Sequence, residues 1–214
     1  MIVLNESYLI NIKDIYYNKD KFNSGQINLC FITGFSGSGK STMANNMKDV
    51  ESYELDDVVE NYRFSDKNLK EYGDLIYSYF NTIGKQYRID SKSSINNIPN
   101  FCRNNVISFI KYSFNYAKEN KNKKYIINGV QLFSCLSPTE LPFDNYAVYI
   151  KGTSRFNSSL RATKRNINND ESDGANVSLF NKIKMFNIQM KLQKNELKYF
   201  NEWYNYFKKK GDNK

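Results

Sequence analysis

The chain has 214 residues, of which 40% are hydrophobic and 25% are charged, so it can form one α/β domain with a real core but not two full domains. Its 31 Lys and Arg outnumber its 22 Asp and Glu, and the formal charge of +9 favours an anionic partner. The absence of His excludes Ser-His-Asp catalysis, Cys-His catalysis and His-ligated metals, and three widely spaced Cys support neither a disulfide framework nor a zinc site.

No apolar run approaches the length of about 20 residues that spans a membrane, and the first residues lack the pattern of a signal peptide. We therefore expect a cytoplasmic protein with reduced cysteines, a single domain over residues 1–214, and no membrane partner. The high content of Lys, Asn, Ile and Tyr is also what an AT-rich genome produces. Lysines scattered over the surface are therefore a competing explanation of the charge.

The first part of the chain alternates between short apolar runs and helical patterns. Residues 1–24 predict a short helix or an extended arm. The continuous apolar run at 27–33 is typical of a strand buried on both faces, and a helix is predicted from Gly39 onward. Residues 52–55 form a second short strand candidate, which stops at a pair of acids.

Residues 58–122 are mostly helical in pattern, with a loop predicted at 91–100. The helix after this loop places apolar residues on one stripe, which is more typical of a core than of a binding groove. The members of the stripe are Val106, Phe109, Ile110, Phe114 and Ala117.

The second half of the chain begins with strand candidates at 123–130 and 146–152. A helix follows over 154–168, then an acidic, turn-rich loop at 168–176 and a long amphipathic helix over about 177–210. Strands that alternate with helices predict an α/β fold, a three-layer sandwich around a mostly parallel central sheet. Ligands bind such sheets at the carboxyl ends of the strands.

The segment after the first buried strand has the pattern of a phosphate-binding loop. Residues 34–41, here called the glycine-rich loop, match G-x-x-x-x-G-K-[ST] at every fixed position. Glycines let the backbone wrap around an anion, so that successive N–H groups and the positive end of the next helix point at it. Lys40 would supply an ammonium for the β- and γ-phosphates, and Ser41 a hydroxyl for Mg²⁺. The predicted nucleotide-binding residues are Gly34, Ser36, Gly37, Ser38, Gly39, Lys40, Ser41 and Thr42.

ATP is the expected ligand of this loop, because no guanine-reading N-K-x-D motif is visible in the expected place. The alternative is a turn rich in Gly and Ser that matches the motif by chance. The predicted strand before the loop and the predicted helix after it favour the phosphate-binding interpretation.

Four segments in order resemble the nucleoside- and nucleotide-kinase-like group of P-loop proteins: GFSGSGKST, ELDD, YIINGV and SSLRATKR. The resemblance covers about residues 27–170, and only its first motif is highly specific. It extends faintly to polynucleotide kinases and zeta-toxin-like kinases, which have a similar acid pair after the second strand. It implies a fold of the P-loop kinase type, the cofactors ATP and Mg²⁺, helical acceptor-binding residues at about 58–122 and a lid at about 155–176.

Two acids follow the second strand candidate, at the place where a kinase needs a carboxylate beside the attacking hydroxyl. We predict that Asp56 is the catalytic base and that Asp57 contacts the substrate or binds Mg²⁺ through water. Asp is also a favoured N-cap residue, so one or both acids could instead cap the following helix.

The third strand candidate ends in Asn128, where the kinase-like group usually has an acid that helps to hold Mg²⁺. Asn brings no charge, which shifts the expected metal site toward Ser41 and the Asp56/Asp57 pair. We expect Asn128 and Gln131, at the same rim, to contact the substrate.

Arg161 and Arg165 are four residues apart and share one helical face, which suits the spread charge of a transferring phosphoryl group. We predict that both are catalytic lid residues; the alternative is an exposed basic helix face. Arg63 and Arg103 are candidates for contacts on the acceptor side.

These features predict an ATP-dependent kinase that moves the γ-phosphoryl group to a hydroxyl or phosphate of a nucleoside, nucleotide or polynucleotide acceptor. Tyr62, Phe64, Tyr72 or Tyr77 could stack on a base of that acceptor. The alternative is a P-loop module that binds nucleic acid or protein under nucleotide control with weak or no turnover, which Asn128 and the basic charge favour.

Overall fold

The computed structural model describes residues 12–60, 69–88, 98–141, 145–172 and 177–212. Its strands are β1 Ile15–Tyr17, β2 Leu29–Thr33, β3 Val50–Glu54, β4 Lys124–Asn128 and β5 Ala147–Ile150. They form one open sheet in the order β1-β5-β2-β4-β3. β2 is parallel to β4 and β5, β3 is parallel to β4, and β1 is antiparallel to β5. The fold is therefore α/β with a mostly parallel sheet, which confirms the predicted class at this level.

Helices connect and cover the strands. They are α1 Lys19–Asn23, α2 Lys40–Asn45, α3 Leu55–Val59, α4 Asp74–Asn81, α5 Ile98–Glu119, α6 Gln131–Cys135, α7 Arg155–Ser172 and α8 Leu179–Asp212. Short 3₁₀ helices cover Leu69–Tyr72, Ile83–Tyr87 and Pro138–Glu140. Within the described ranges, no helix is both long and apolar enough to cross a membrane.

Both faces of the sheet carry buried apolar side chains. Successive residues of a strand point to opposite faces, so Leu29 and Phe31 of β2 join a larger cluster while Cys30 and Ile32 join a smaller one. The larger cluster takes in side chains of α3, α4, α5, α6 and α8, including all five members of the α5 stripe predicted from the sequence. The smaller cluster takes in side chains of α1 and α2. Burial on both faces explains why the strands are continuous apolar runs.

The second half of α8 closes the larger cluster and reaches the glycine-rich loop. Phe200, Trp203 and Phe207 are fully buried, and the indole N–H of Trp203 donates a 2.8 Å hydrogen bond to the carbonyl of Leu136. Phe200 stacks on Phe35 of the loop, with ring centroids 4.4 Å apart. Each buried ring contributes about 1.5–3 kcal/mol to stability, so α8 ties the loop firmly to the core.

Several boundaries differ from the predictions. The N-terminal arm contains both a strand, β1, and a short helix, α1, while residues 1–11 lie outside the described ranges. α5 begins at Ile98, inside the predicted loop, because a proline is tolerated in the first turn of a helix. α7 continues to Ser172, so residues 168–172 are helical rather than loop. The sequence has neither Gly nor Pro to end that helix before Gly174.

Candidate functional site

The glycine-rich loop joins β2 to α2 at the carboxyl edge of the sheet. Gly37 and Gly39 have left-handed φ angles of +79° and +96°. Such a conformation costs any other L-residue roughly 1–2 kcal/mol, which explains the glycines. α2 has only six residues, so the positive end expected here comes from the N–H groups of one turn rather than from a long helix dipole.

α7 packs directly on this loop at Gly37. A Cβ atom at Gly37 would lie 2.2 Å from the carbonyl oxygen of Ser158 and 2.8 Å from the amide nitrogen of Ala162. A Cβ at Gly39 would meet nothing within 4 Å. Position 37 therefore requires glycine both for its positive φ and because α7 leaves no room for a Cβ atom. Position 39 requires glycine only for its positive φ.

Two polar side chains from α7 and α8 converge on Ser36. A guanidinium nitrogen of Arg165 donates to Ser36 Oγ at 3.3 Å, and the amide nitrogen of Gln193 donates to the Ser36 carbonyl at 3.1 Å. The amide oxygen of Gln193 accepts a 2.8 Å hydrogen bond from Ser158 Oγ. Gln193 is only 1% exposed, so it joins the loop, α7 and α8 in the protein interior.

The Lys40 ammonium folds back over the loop and donates to the carbonyl of Phe35 at 3.0 Å. Burial lowers the pKa of Lys40 to about 8. Burial also raises the pKa of the Glu196 carboxyl, an effect that the Lys40 ammonium opposes. The charged groups that act on Lys40 are Asp56, Arg165, Glu196 and Glu54. The loop lysine thus lies among carboxylates from β3, α3 and α8, with one guanidinium nearby.

Asp56 lies on the flank of the loop opposite α7, since α3 follows β3 and α7 follows β5 on either side of β2. Its exposed carboxylate accepts a 2.5 Å hydrogen bond from the amide nitrogen of Gln131. The amide oxygen of Gln131 is buried and has no hydrogen-bond partner among the described residues. Gln131 therefore fixes the Asp56 carboxylate from the start of α6.

The alternative in which the acids cap a helix is wrong. α3 begins at Leu55, and its N-cap residue is Glu54, which makes no side-chain cap bond. Asp56 and Asp57 instead occupy the first turn of α3. The helix begins at Leu55, which is fully buried, so both acids lie after its first residue.

A cavity of about 690 Å³ opens beside the loop and α2, within the size range of small-molecule sites. Ser38, Thr42, Lys151 and Arg161 are among its lining residues. Ser38 Oγ is buried and has no partner among the described residues. Arg161 thus lies at the cavity while Arg165 contacts Ser36, so the two arginines that share a helix face serve different parts of the site.

Lys151 is held at the rim of this cavity by Asp14. Its ammonium is 2.8 Å from the Asp14 carboxylate, which also accepts hydrogen bonds from Tyr149 Oη and from the Gly152 amide at 2.9 Å. Burial raises the pKa of Asp14, but these three donors outweigh burial and lower it overall. The residues just before β1 therefore help to shape the cavity.

Two other predicted residues make their hydrogen bonds outside the loop. Asn128 is 2% exposed, and its amide donates to Ser52 Oγ at 3.4 Å between neighbouring strands. Arg103 is exposed on α5 and donates to the Cys135 carbonyl at 3.1 Å, at the end of α6. Arg63 lies outside the described residues, as do Tyr62 and Phe64.

Two expected oxygen ligands of a metal lie in the first turns of two different helices. Ser41 is in the first turn of α2 and Asp57 in the first turn of α3, each half-buried. Of the residues that the structure describes, no three His, Cys, Asp or Glu side chains gather where they could bind a metal ion. The chain supplies oxygen donors of the kind that Mg²⁺ prefers, but too few to bind it without further oxygens from a ligand.

Glu54, Gln193 and Glu196 are among the residues of the site that the sequence did not predict. One signal pointed to Gln193, because Phe186, Gln193, Phe200 and Phe207 recur every seventh residue in α8. A lone amide on an apolar stripe must find buried partners. Glu54 lies at the end of β3 on the same face as Ser52, as strand alternation requires.

The chain has no significant match among models of protein families, curated protein sequences or solved structures. A functional assignment must therefore come from the residues and the geometry of the site.

Proposed function

We propose that the glycine-rich loop binds the phosphates of a nucleoside triphosphate and that the protein is an ATP-dependent kinase. The supporting observation is the placement of two cations, Lys40 and Arg165, at one loop with left-handed glycines. Arg165 lowers the pKa of Lys40, so the two cations disfavour each other where they lie. A polyphosphate between them would stabilise both charges.

The order of the strands and the apolar clusters on both faces of the sheet support the same proposal. β2 lies between β4 and β5, with apolar clusters on both faces of the sheet, as in a three-layer sandwich of the P-loop kinase type. In this proposal residues 1–214 form one domain, α4 and α5 belong to the acceptor-binding region, and α7 belongs to the lid. Tyr72 and Tyr77 are 37% and 40% exposed, which leaves ring surface for stacking on a base of the acceptor.

The cavity beside α2 is the proposed nucleoside site, with ATP as the expected ligand. Its walls bring together Thr42, Lys151 and the guanidinium of Arg161, and a guanidinium stacks well on an aromatic base. The unpartnered Ser38 hydroxyl offers a hydrogen bond to a phosphate or ribose oxygen.

Mg²⁺ would be held by Ser41 and by an acid of the β3–α3 junction, with most of its oxygens supplied by the phosphates. When bound, the ion neutralises charge that develops on the transferring group. Asp57 and Glu54 are the nearest carboxylates in sequence to the proposed base Asp56, and one of them can hold a metal-bound water.

In the proposed reaction, Asp56 accepts the proton of an acceptor hydroxyl as its oxygen attacks the γ-phosphorus. The bond from that phosphorus to the bridging oxygen breaks, and ADP leaves with the electron pair. Where the acceptor is a phosphate that is already ionised, its oxygen attacks without proton transfer. Arg165 and Lys40 stabilise the charge on the transferring oxygens. Gln131 holds the Asp56 carboxylate in place.

The test is transfer of label from γ-labelled ATP to a panel of nucleosides, nucleotides and oligonucleotides. We expect one acceptor class to become labelled and Asp56→Asn to abolish labelling of a hydroxyl acceptor while ATP still binds. Asp57→Asn is the matched control for the base assignment, since it changes the neighbouring acid. Persistent transfer by Asp56→Asn on a hydroxyl acceptor would show that Asp56 is not the base.

The second candidate is a nucleotide-regulated module that binds nucleic acid or protein and turns over slowly or never. It is favoured by Asn128, which leaves the end of β4 without a charge and is bonded to Ser52 in the interior. Label that appears only as free phosphate, at a rate no acceptor changes, would favour this candidate over the kinase.

A further inference from the structure

The first half of α8 exposes an unusual amount of apolar surface. Leu179 and Phe180 are 75% and 76% exposed, and Ile183 and Ile188 are each 48% exposed. Isolated apolar residues are common on protein surfaces, but contiguous patches mark interaction sites. Phe180, Ile183 and Ile188 line one depression on the surface of this helix, so these three form such a patch.

The patch continues into a groove between α7 and α8, here called the α7–α8 groove. The groove has a volume of about 610 Å³, and Leu160, Ile167, Ile183 and Phe186 are among its lining residues. Ile183 also lines an adjoining apolar depression of about 320 Å³ on the outer side of α8. The two depressions meet at Ile183, and together they are here called the apolar channel.

The rim of this channel is positively charged. Neither residues 155–169 of α7 nor residues 177–195 around the start of α8 include an Asp or a Glu; the acids of α7 come at its end. The exposed cations that line the channel are Lys164, Lys184 and Lys191. A binding partner must therefore present apolar side chains in the middle and negatively charged side chains at the edges.

We propose that the α7–α8 groove binds an amphipathic helix of a partner protein, with Asp and Glu on both sides of its apolar stripe. A third helix fits the hollow between two packed helices by the usual ridge-and-groove geometry. A nucleic acid would use the lysines but leave Leu160, Ile167 and Ile183 without contacts. A second copy of this face would bring lysine against lysine, which is unfavourable.

The groove contains none of the residues assigned to nucleotide binding or catalysis, although one of its walls is α7, the proposed lid, and binding there does not require phosphotransfer. It does connect with the site physically. Gln193, which bonds Ser36 of the glycine-rich loop, directly follows the half-exposed Leu192 on α8. A partner seated along α8 would therefore contact the helix that holds the loop.

The experiment uses the full chain and a fluorescent peptide of about 18 residues, roughly 27 Å of helix, with a leucine stripe flanked by Glu. Binding is followed by fluorescence anisotropy at an ionic strength of about 0.15 M. One control peptide replaces each Glu by Lys, and a second scrambles the order so that the stripe is lost. We expect the acidic helix to bind at least about tenfold more tightly than either control.

Two double variants test the two halves of the recognition. Phe180→Ser with Ile183→Ser removes apolar contacts, and Lys184→Glu with Lys191→Glu reverses the rim charge. Each should weaken binding of the acidic helix by about tenfold or more. The matched controls are Ile83→Ser, at a 53% exposed position elsewhere, and Lys111→Glu with Lys118→Glu on α5. All changes are at exposed positions, so thermal unfolding should confirm that each variant is folded.

Four results would overturn the proposal. The first is that the acidic helix binds no better than its control peptides. The second is that an oligothymidylate binds instead, and that its affinity responds to the lysine changes but not to the apolar ones. The third is that light scattering detects a dimer and that Ile183→Ser dissociates it, which would mean that the occupant is a second copy of the chain. The fourth is that a peptide of the chain's own residues 1–11 binds and that both double variants weaken its binding, which would mean that the occupant belongs to this chain.

Discussion

The two flanks of the glycine-rich loop differ in how firmly they are built. On the α7–α8 flank, the loop is in contact with backbone at Gly37, with buried Gln193 and with the stacked ring of Phe200. On the α3–α6 flank, the ring of Phe133 also packs against Phe35 of the loop, but the Asp56 carboxylate is exposed and is held by one amide. The contrast teaches that the half of the site proposed to bind the anion is built into the protein core, whereas the half proposed to react lies on its surface.

The largest expected effect comes from adding a methyl group at Gly37, where α7 packs on the loop. Gly37→Ala combines a left-handed φ with an atom 2.2 Å from the Ser158 carbonyl, and we expect a loss of about 3 kcal/mol or more in the free energy of unfolding. Gly39→Ala, which has the strained φ but open space, should lose only about 1–2 kcal/mol. Thermal unfolding measures both, and equal losses would mean that α7 does not press on the loop.

The next largest effect concerns Gln193. Gln193→Ala leaves the Ser36 carbonyl and the Ser158 hydroxyl without this partner, which should cost about 2 kcal/mol and lower Tm by roughly 4–8 °C. The neighbouring exposed residue provides the control, since Lys194→Ala should change stability by less than about 0.5 kcal/mol. A Gln193→Ala chain as stable as the parent would show that the α8 contact with the loop is dispensable.

The pKa of Lys40 gives a test that depends on pH. Burial lowers this pKa from the ordinary 10.5 to about 8, so the free ammonium loses its proton as the pH rises through 8. Affinity for ATP should therefore fall above that pH, by at most about tenfold per pH unit. Calorimetry between about pH 7 and about pH 9.5 measures the change. Lys40→Arg, which stays charged, should remove the pH dependence; a flat profile for the parent chain would contradict the proposed contact.

The smallest effect belongs to the exposed flank. If Gln131 acts by holding Asp56, Gln131→Ala should slow transfer to a hydroxyl acceptor about tenfold at saturating acceptor and leave ATP affinity unchanged. If Gln131 instead contacts the acceptor, as the sequence analysis expects, KM for the acceptor rises. Ser134→Ala, also on α6, is the control. A lower kcat with an unchanged KM would therefore support the positioning role, and a higher KM with an unchanged kcat would support contact with the acceptor.

The sequence predicts the part of the site whose signals are local. The buried strands, the glycine-rich loop and the α5 stripe all follow from patterns within a few neighbouring residues. The contact between Gln193 and Ser36 joins residues 157 positions apart, and no short pattern specifies such a pairing. Arg161 and Arg165 illustrate the limit in another way. Their spacing predicts a shared face, but only the packing of α7 sends one side chain to Ser36 and leaves the other at the cavity.

Phe35 lies inside the glycine-rich loop yet is fully buried, between the rings of Phe133 and Phe200. A segment anchored in this way cannot fray while the remainder of the molecule stays intact. The amide hydrogen of buried Ser38, which bonds the Phe35 carbonyl at 3.0 Å, should therefore exchange with deuterated solvent only as fast as the whole domain opens. A bound polyphosphate would then protect the entire cooperative unit against denaturation, including strands that it never contacts.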